Sequence, residues 1–328
     1  MAETTPPQAW TGAALQRQPD LWTHRLSPTE TGELRAAAAR IAADRRPFSD
    51  WSADALGLTA IAAASRRWRE TLRDGLGFVL IKGVPVAGQS EAALRGLFWA
   101  LGRLLGEPVS QNAAGELMCD IRDTGADPNN ANTRLYTTRA EQDFHTDGAD
   151  VIGLLCVKPA RAGGVSRIVS SVSVYRELER RRPDLAPLLA EPWPFHLHGQ
   201  SGPGGPTHFM MPIVRAHDGG LSSFFIGWYI RRSQELADAP KLTAAQWEVL
   251  ALYEAIANDP ALYLDMDFEP GDIQWLKNAV ILHKRTEYED WPQPERKRHL
   301  LRLWLTARDF EDGDERLRSG VTASPEPV

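Results

Sequence analysis

The pattern of apolar residues changes near residue 105 of this 328-residue chain. Before that point, residues 28–43, 60–73 and 90–104 repeat apolar side chains at the spacing of amphipathic helices. After it, short apolar runs alternate with turns rich in glycine and proline, such as residues 162–164 and 270–271. Helices first and many short strands later predict an α+β, mainly β chain. Its core is expected to be a jelly roll, the double-stranded β-helix of cupin-like folds, flanked by helices.

Local signals set the expected boundaries. Ser27-Pro28-Thr29-Glu30 is a capping box with proline in the first helical position, so a helix is predicted to start there. Residues 1–26 are expected to form an N-terminal arm, residues 27–308 a single jelly-roll domain, and the acidic residues 309–328 a flexible tail. Further helices are predicted at 172–181 and 244–257. The predicted strands are residues 78–81, 151–157, 166–169, 262–268, 272–276, 279–283 and 299–306.

Composition excludes several classes of protein. The formal net charge is -6 and no block of Lys and Arg is long enough for a nucleic-acid surface, so the expected partner is a small molecule. Cys119 and Cys156 are the two cysteines, which implies no disulfide framework and favours the reducing cytoplasm. We find neither a signal-peptide pattern at the start nor an apolar run of membrane-spanning length. A homo-oligomer is left open.

A histidine and a carboxylate stand two residues apart at His145-Thr146-Asp147. In an extended segment, side chains two apart share a face, so His145 and Asp147 project together. With a third ligand they would complete the facial triad of non-haem iron(II) oxygenases, and His283, at the end of an apolar strand, is the predicted third ligand. Taken alone, the His145-Thr146-Asp147 motif is more often part of a turn than of a metal site. His283 alone is as often a buried core histidine as a metal ligand.

Two arginines lie four residues apart in the last predicted strand. Arg298 and Arg302 therefore share one face, while Leu301 and Leu303 face the other way. Guanidinium groups on a buried strand need anionic partners. A dicarboxylate held by bidentate hydrogen bonds would supply them, and the chain's own Asp and Glu residues are the alternative.

Five motifs occur together and in order between residues 77 and 308. They are His145-Thr-Asp147, Gly163-Gly-Val-Ser166, Pro270-Gly-Asp-Ile-Gln with Asn278, Leu282-His283-x-Arg285-Thr286, and Arg298-x-x-x-Arg302-Leu-Trp304. On these motifs the chain resembles the iron(II)- and 2-oxoglutarate-dependent dioxygenases of the taurine dioxygenase/TfdA-like group. The resemblance implies an enzyme in which His145, Asp147 and His283 are the catalytic iron ligands and 2-oxoglutarate and O2 are cosubstrates.

The resemblance also implies roles in the cosubstrate pocket. Arg298 would pair with the distal carboxylate of 2-oxoglutarate, assisted by Ser166. Arg302 would line the same pocket and meet either the iron-side carboxylate or an anionic substrate. Lys284 departs from the pattern, since a small residue is common there. Residues 194–232 correspond to a lid that covers the substrate in the group.

The activity implied is oxidation of an unactivated C–H bond, with release of succinate and CO2. Hydroxylation is the expected outcome, with desaturation or cyclisation as alternatives, and Asp147 argues against halogenation because related halogenases lack that carboxylate. The abundant aromatic and basic residues favour a small anionic, amino-acid-like or natural-product substrate. Candidate substrate contacts are Asn112, Tyr136, Arg139, Phe225, Tyr229, Arg231 and Arg285.

Two rival interpretations are kept. His196 and His198 form a second same-face pair, so a zinc site of a hydrolase is conceivable there. The chain could also be a non-catalytic module that binds a ligand in the same barrel.

Overall fold

A computed structural model describes most of the chain. The described residues are 6–112, 114–127, 133–197, 205–217 and 220–310. Of the expected tail, Phe310 is buried and Asp309 pairs with Arg69, and the remainder lies outside these residues. The α-helices are α1 (Gly12–Leu15), α2 (Pro28–Ala42), α3 (Ala53–Leu56), α4 (Thr59–Arg73), α5 (Glu91–Gly102), α6 (Ser171–Arg181), α7 (Gly227–Ser233) and α8 (Ala244–Ala257).

The strands are short, as the sequence predicts. In chain order they are β1 (Thr23–Arg25), β2 (Phe78–Lys82), β3 (Glu107–Pro108), β4 (Met118–Ile121), β5 (Gln142–His145), β6 (Val151–Lys158), β7 (Ala162–Gly163), β8 (Ser166–Ser170), β9 (Pro192–His196), β10 (His208–Pro212), β11 (Val214–His217), β12 (Gly220–Ser223), β13 (Leu264–Met266), β14 (Ile273–Lys277), β15 (Ile281–Arg285), β16 (Tyr288–Glu289) and β17 (His299–Thr306).

Two sheets form the core. The major sheet has the order β1-β2-β14-β6-β17-β3, with β4 also paired to β17, and the minor sheet has the order β13-β8-β15-β5. Apart from the parallel pair of β1 and β2, the neighbours in both sheets are antiparallel. This is the predicted jelly roll flanked by helices, and the space between its sheets holds the candidate site.

Alternation along β17 separates the two faces of the major sheet. Leu301, Leu303 and Leu305 are buried in the cluster beneath α2, α4 and α5, whereas Leu300 and Trp304 belong to clusters between the sheets. On the neighbouring β6, Gly153 leaves room for Trp275, since a Cβ there would lie 2.1 Å from the indole. The period of two therefore turns the even-numbered residues of β17, Arg302 among them, towards the interior, and Arg298, immediately before the strand, is buried as well.

The helices on the outer face of the major sheet begin where the sequence predicts. At the start of α2, the Ser27 hydroxyl accepts a hydrogen bond from the Glu30 backbone N–H at 3.2 Å, and the Glu30 carboxylate accepts one from the Ser27 N–H at 2.7 Å. The predicted capping box is thereby confirmed. Within the described residues, every helix is too short or too polar to span a bilayer.

The expected arm is built into the fold. The Trp10 indole is buried and donates to the Leu76 carbonyl at 2.9 Å, and the Gly12 N–H donates to the Leu262 carbonyl at 2.7 Å. Its last residues form β1, which extends the major sheet beside β2. The arm therefore contributes to the core of the protein as well as lying over it.

Residues 194–232 form more structure than the sequence indicates. They include most of the β9–β10 hairpin, the β11–β12 hairpin and most of α7, and residues 198–204 and 218–219 lie outside the described part. Phe195, Met211 and Ile230 are buried with Leu282 of β15 in one cluster, which α6 and α8 complete. The segment thus covers the outer face of the minor sheet.

Candidate active site

Two histidines face each other across β5 and β15. His145 is the register partner of His283, and their ring centroids are 4.2 Å apart. Asp147 follows two residues after His145, with its carboxylate oxygens 3.9 Å from His145 Nε2 and 3.7 Å from His283 Nε2. All three side chains are buried, and one ligand atom of each lies within 4.8 Å of the others. The structure therefore brings together the three residues that the sequence predicts as metal ligands.

Both imidazoles are neutral near pH 7. Burial lowers the pKa of His145 despite the attraction of Asp147, and burial followed by repulsion from His145 lowers the pKa of His283 to about 3. His145 Nδ1 lies 2.7 Å from the Asp143 carbonyl, which can only accept, so Nδ1 carries the proton and Nε2 presents a lone pair. This is the tautomer that a metal-binding histidine needs.

Asp147 is held in place by three neighbouring side chains. Asn278 accepts from the Asp147 N–H at 2.8 Å and donates to the Asp147 carbonyl at 2.6 Å. Trp304 Nε1 donates to Asp147 Oδ2 at 3.0 Å, and Arg302 Nη1 does so at 3.3 Å. Burial by itself would raise the pKa of Asp147, but Arg302 and the two histidines lower it below its usual value. Asp147 is therefore an oriented carboxylate anion beside two neutral imidazoles.

A cavity partly open to solvent adjoins the triad. Its walls come from both sheets and from the segment before β5. Its lining residues are Ile121, Tyr136, Gln142, His145, Leu154, Ser166, Phe268, His283, Lys284, Arg285, Arg298, Leu300 and Arg302. Apolar side chains and charged or polar groups thus share one concave surface, the combination that small-molecule sites show.

Two guanidinium groups in this cavity lack partners for some of their donors. Arg298 is 4% exposed and Arg285 is 8% exposed. Arg298 Nη1 and Arg285 Nη1 and Nε make no hydrogen bond within the described residues. Burial lowers the pKa of Arg298, and burial followed by repulsion from Arg298 lowers the pKa of Arg285 to about 10. Both groups remain cations at neutral pH and fit an anion with unpaired acceptors.

Arg302 and Ser166 lie in the same cavity but are already paired. Arg302 Nε donates to Gln111 Oε1 at 2.7 Å, and the guanidinium stands 5.0 Å from the ring centroid of Tyr136. The Ser166 hydroxyl donates to Gln274 Oε1 at 3.1 Å and so links the two sheets. Arg302 thus contacts Asp147, whereas Arg298 and Arg285 both lie next to the Tyr288 ring.

The predicted substrate contacts divide into two groups. Tyr136 and Arg285 line the cavity. Arg139 and Arg231 are largely exposed and pair with Asp123 and Glu254, and the Asn112 amide donates to Glu116 at 2.6 Å. Tyr229 packs edge-on against Trp228, and the Phe225 carbonyl accepts from Thr146. The structure thus brings two of the candidates to the cavity and leaves the others outside its lining.

Lys284 lies on the opposite face of β15 from His283 and Arg285. Its ammonium contacts Glu141 at 2.8 Å, Asp143 at 3.2 Å and Asn258 at 2.9 Å, beneath the outer cover of the minor sheet. The residue is among those that line the cavity, while its ammonium group is held by these partners. The charge that departs from the family pattern therefore does not enter the site.

The rival histidine pair does not form a metal cluster in the described residues. His196 of β9 lies opposite His208 of β10, and His208 is 3.9 Å from Asp238, whereas His198 lies outside the described residues. The described residues contain one group of metal-ligating side chains close enough to share an ion, His145, Asp147 and His283.

Two polar residues that contact the site, Gln142 and Gln111, escaped sequence reasoning. A register shift between His283 and Arg285 places Gln142 opposite Arg285, and its amide lies 3.0 Å from His145 Nε2. In a regular strand, Gln142 and His145 would lie on opposite faces, because they are three residues apart. The register shift marks a β-bulge in β5, which brings both side chains to the same face. Gln111 comes from a loop whose contact with Arg302 spans 191 residues of sequence. No local signal marks either residue.

Comparison with known proteins places the chain among oxygenases. Residues 44–304 match the family described as "Taurine catabolism dioxygenase TauD, TfdA family". The FR-33289 synthase of Streptomyces rubellomurinus is 31% identical over 319 residues, covering 94% of this chain and 92% of that protein. The taurine hydroxylase-like protein SAT17 of Stachybotrys chartarum is 27% identical over 308 residues, covering 90% of this chain and 77% of that protein.

Solved structures share the fold. An asparagine oxygenase in complex with Fe(II), 2S,3S-3-hydroxyasparagine and succinate superimposes with a TM-score of 0.64 at 18% identity, covering 87% of this chain and 94% of that one. The non-haem iron oxygenase OrfP in complex with Fe and alpha-ketoglutaric acid gives 0.63 at 16% identity, covering 91% of this chain and 99% of that one. At this identity the likeness concerns the fold.

Proposed function

Because this chain belongs to the family of the taurine catabolism dioxygenases TauD and TfdA, we propose that His145, Asp147 and His283 hold iron(II) and that the adjoining cavity binds 2-oxoglutarate. The protein is an enzyme, an iron- and 2-oxoglutarate-dependent oxygenase. Two imidazoles and one carboxylate on one side of a site are the donor set of non-haem iron(II) oxygenases. The enzyme interpretation is therefore preferred over a non-catalytic binding module.

The observation that carries the assignment is the pairing of the triad with buried, unpaired guanidinium donors in one cavity. A dicarboxylic 2-oxo acid has a chelating end for a metal and an anionic end for an arginine. Arg298, assigned to the distal carboxylate, has an unpartnered Nη1, and Ser166 lies in the same lining. A carboxylate there would satisfy a charged donor that otherwise stays buried without a partner.

The side chains of this protein would orient the metal ligands and exclude water from the reaction. When bound, iron(II) with 2-oxoglutarate and O2 supplies the oxidising power to hydroxylate an unactivated C–H bond, with succinate and CO2 as the other products. Trp304 and Arg302 hold Asp147 through hydrogen bonds, and the Asp143 carbonyl fixes the His145 tautomer. The apolar wall, which includes Leu154 and Leu300, keeps water from the cosubstrate.

We assign the substrate to a small anionic or amino-acid-like class, which includes natural-product intermediates. Arg302 supports this assignment, since its guanidinium lines the cavity and contacts both Asp147 and the ring of Tyr136. The relatives are consistent with it, because the solved asparagine oxygenase and OrfP are described with hydroxylated amino acids. Hydroxylation is accordingly the proposed outcome, with desaturation or cyclisation as the alternatives of the same chemistry.

The test is a product analysis with the iron-loaded protein. Succinate and oxidised product are measured together on amino acids, their anionic derivatives and neutral amides of the same skeleton. We expect iron- and O2-dependent succinate in a ratio near one to the hydroxylated product for an anionic or amino-acid-like compound, and none for His283→Ala. Equal turnover of the neutral amide would contradict the substrate class, and absence of succinate with every compound would contradict the enzyme assignment.

A further inference from the structure

The cavity contains one arginine more than the cosubstrate assignment uses. Arg285 of β15 and Arg298, which immediately precedes β17, both line it. The Tyr288 ring lies next to both, 5.1 Å from the guanidinium carbon of Arg285 and 5.0 Å from that of Arg298. The Tyr288 hydroxyl is also buried without a partner in the described residues. Two cations thus meet beside one buried hydroxyl.

Within the described residues, no carboxylate forms a hydrogen bond with these side-chain donors. Asp123 lies 3.1 Å from Arg139, and Asp290 accepts the Arg298 backbone N–H at 2.6 Å. Of the three Arg285 nitrogens, Nη2 donates to the carbonyls of Ala140 and Leu135, which holds the side chain against the segment before β5. Nε and Nη1 remain for another acceptor.

We propose that Arg285 and Arg298, with Tyr288 beside both, act as a pair that clamps the distal carboxylate of 2-oxoglutarate. This inference rests on the proposed function and adds Arg285 as a residue that determines which 2-oxo acid is accepted. A carboxylate has two oxygens and about four acceptor positions, so it can receive donors from both guanidinium groups and from the hydroxyl. One negative charge between two buried cations also offsets their mutual repulsion.

The clamp has a consequence for cosubstrate choice. A 2-oxo acid without a distal carboxylate, such as 2-oxobutyrate, would leave both guanidinium groups buried and unpaired. Sites built to bond a charged group reject analogues that lack it far more strongly than apolar pockets do. Arg285 should therefore contribute to the preference for 2-oxoglutarate over the monoacid and have little influence on the monoacid's own affinity.

The test compares the binding of the two acids by anaerobic calorimetry, with the protein loaded with manganese(II) in place of iron so that no turnover occurs. In Arg285→Met we expect the dissociation constant of 2-oxoglutarate to rise at least tenfold while that of 2-oxobutyrate stays within about twofold. Arg161→Met is the matched control, since Arg161 is exposed and pairs with Glu289 next to Tyr288. It should leave both constants unchanged.

A conservative variant keeps the test independent of misfolding. Arg285→Lys retains a cation in the same position but loses the planar fork, so an intermediate loss of 2-oxoglutarate affinity is expected. If 2-oxoglutarate binds Arg285→Met and Arg285→Lys as tightly as the parent, the clamp is excluded and Arg285 only supports the Leu135–Ala140 backbone. If the parent itself binds neither acid, the proposed function fails before the clamp is tested.

Discussion

The Trp304 indole donates a hydrogen bond of 3.0 Å to Oδ2 of Asp147, 157 residues earlier in the chain. Arg302, two residues before Trp304 on the same face of β17, contacts the same oxygen at 3.3 Å. Strand β17, which begins directly after the proposed cosubstrate arginine Arg298, therefore also orients the carboxylate of the candidate metal centre. Under the proposed function, iron binding and cosubstrate binding would depend on one rigid element, which favours a site held in position before its ligands arrive.

Trp304→Phe removes the indole donor from Asp147 while keeping an aromatic ring in the core. We expect metal affinity to fall about tenfold, since loss of a group that orients a ligand costs 10–100-fold. Anaerobic titration with cobalt(II), followed by its visible absorption, measures the change. Trp247→Phe, at a partly exposed position, serves as the control. Unchanged affinity in Trp304→Phe would mean that the hydrogen bond does not position Asp147 for a metal.

Lys284→Met tests the conclusion that this lysine belongs to the outer packing of the minor sheet. Its partners Glu141 and Asp143 are half or more exposed and can return to water, so the expected loss in the free energy of unfolding is about 1 kcal/mol. Denaturant titration measures this loss. The affinity for 2-oxoglutarate should stay within about twofold of the parent. A tenfold weaker affinity would instead place the ammonium group in the site.

His196→Ala separates the two candidate metal sites. His196 lies opposite His208, which is 3.9 Å from Asp238, but within the described residues these side chains do not form a group close enough to share an ion. The variant should therefore retain the full metal content of the parent. His145→Ala should lose it. Metal analysis of both proteins after identical loading and desalting gives the answer, and loss of metal from His196→Ala alone would restore the zinc-hydrolase alternative.

The two cysteines should be inert in the folded protein. Burial raises the pKa of the Cys119 thiol to about 11 and that of the Cys156 thiol to about 12, so both are neutral at pH 8 and lack the reactive thiolate. Mass spectrometry after iodoacetamide treatment at pH 8 should find no alkylation natively and two modified cysteines in guanidinium chloride. Cys119 should begin to react only as the pH approaches 11. Rapid native alkylation at pH 8 would contradict its burial.

Short-range patterns predicted much of this fold. The inward face of Arg302 follows from the period of two in β17, and Arg298 just before the strand lines the same cavity. The start of α2 follows from its capping box. Strands β9 to β12 were not predicted, because each is only four or five residues long and pairs within a segment whose apolar residues show no clear period. Their packing against the minor sheet depends on long-range contacts.

The candidate site was predictable to a different extent for each residue. His145, Asp147 and His283 could be found because a metal needs particular residue types, and the structure brings them together. Gln142 could not, because a bulge in β5 reverses its face. The pairing of Arg285 with Arg298 also could not, because it depends on how the two sheets approach each other around Tyr288.

The central claim, that the triad holds iron beside a 2-oxoglutarate pocket, is tested most directly by an anaerobic titration. Metal-free protein receives iron(II) and then 2-oxoglutarate while the visible charge-transfer absorption of a chelated 2-oxo acid is recorded. We predict that the band forms in the parent, is absent from His145→Ala, and requires at least tenfold more 2-oxoglutarate in Arg298→Ala. A folded parent protein that shows no band at saturating iron and 2-oxoglutarate would contradict the claim.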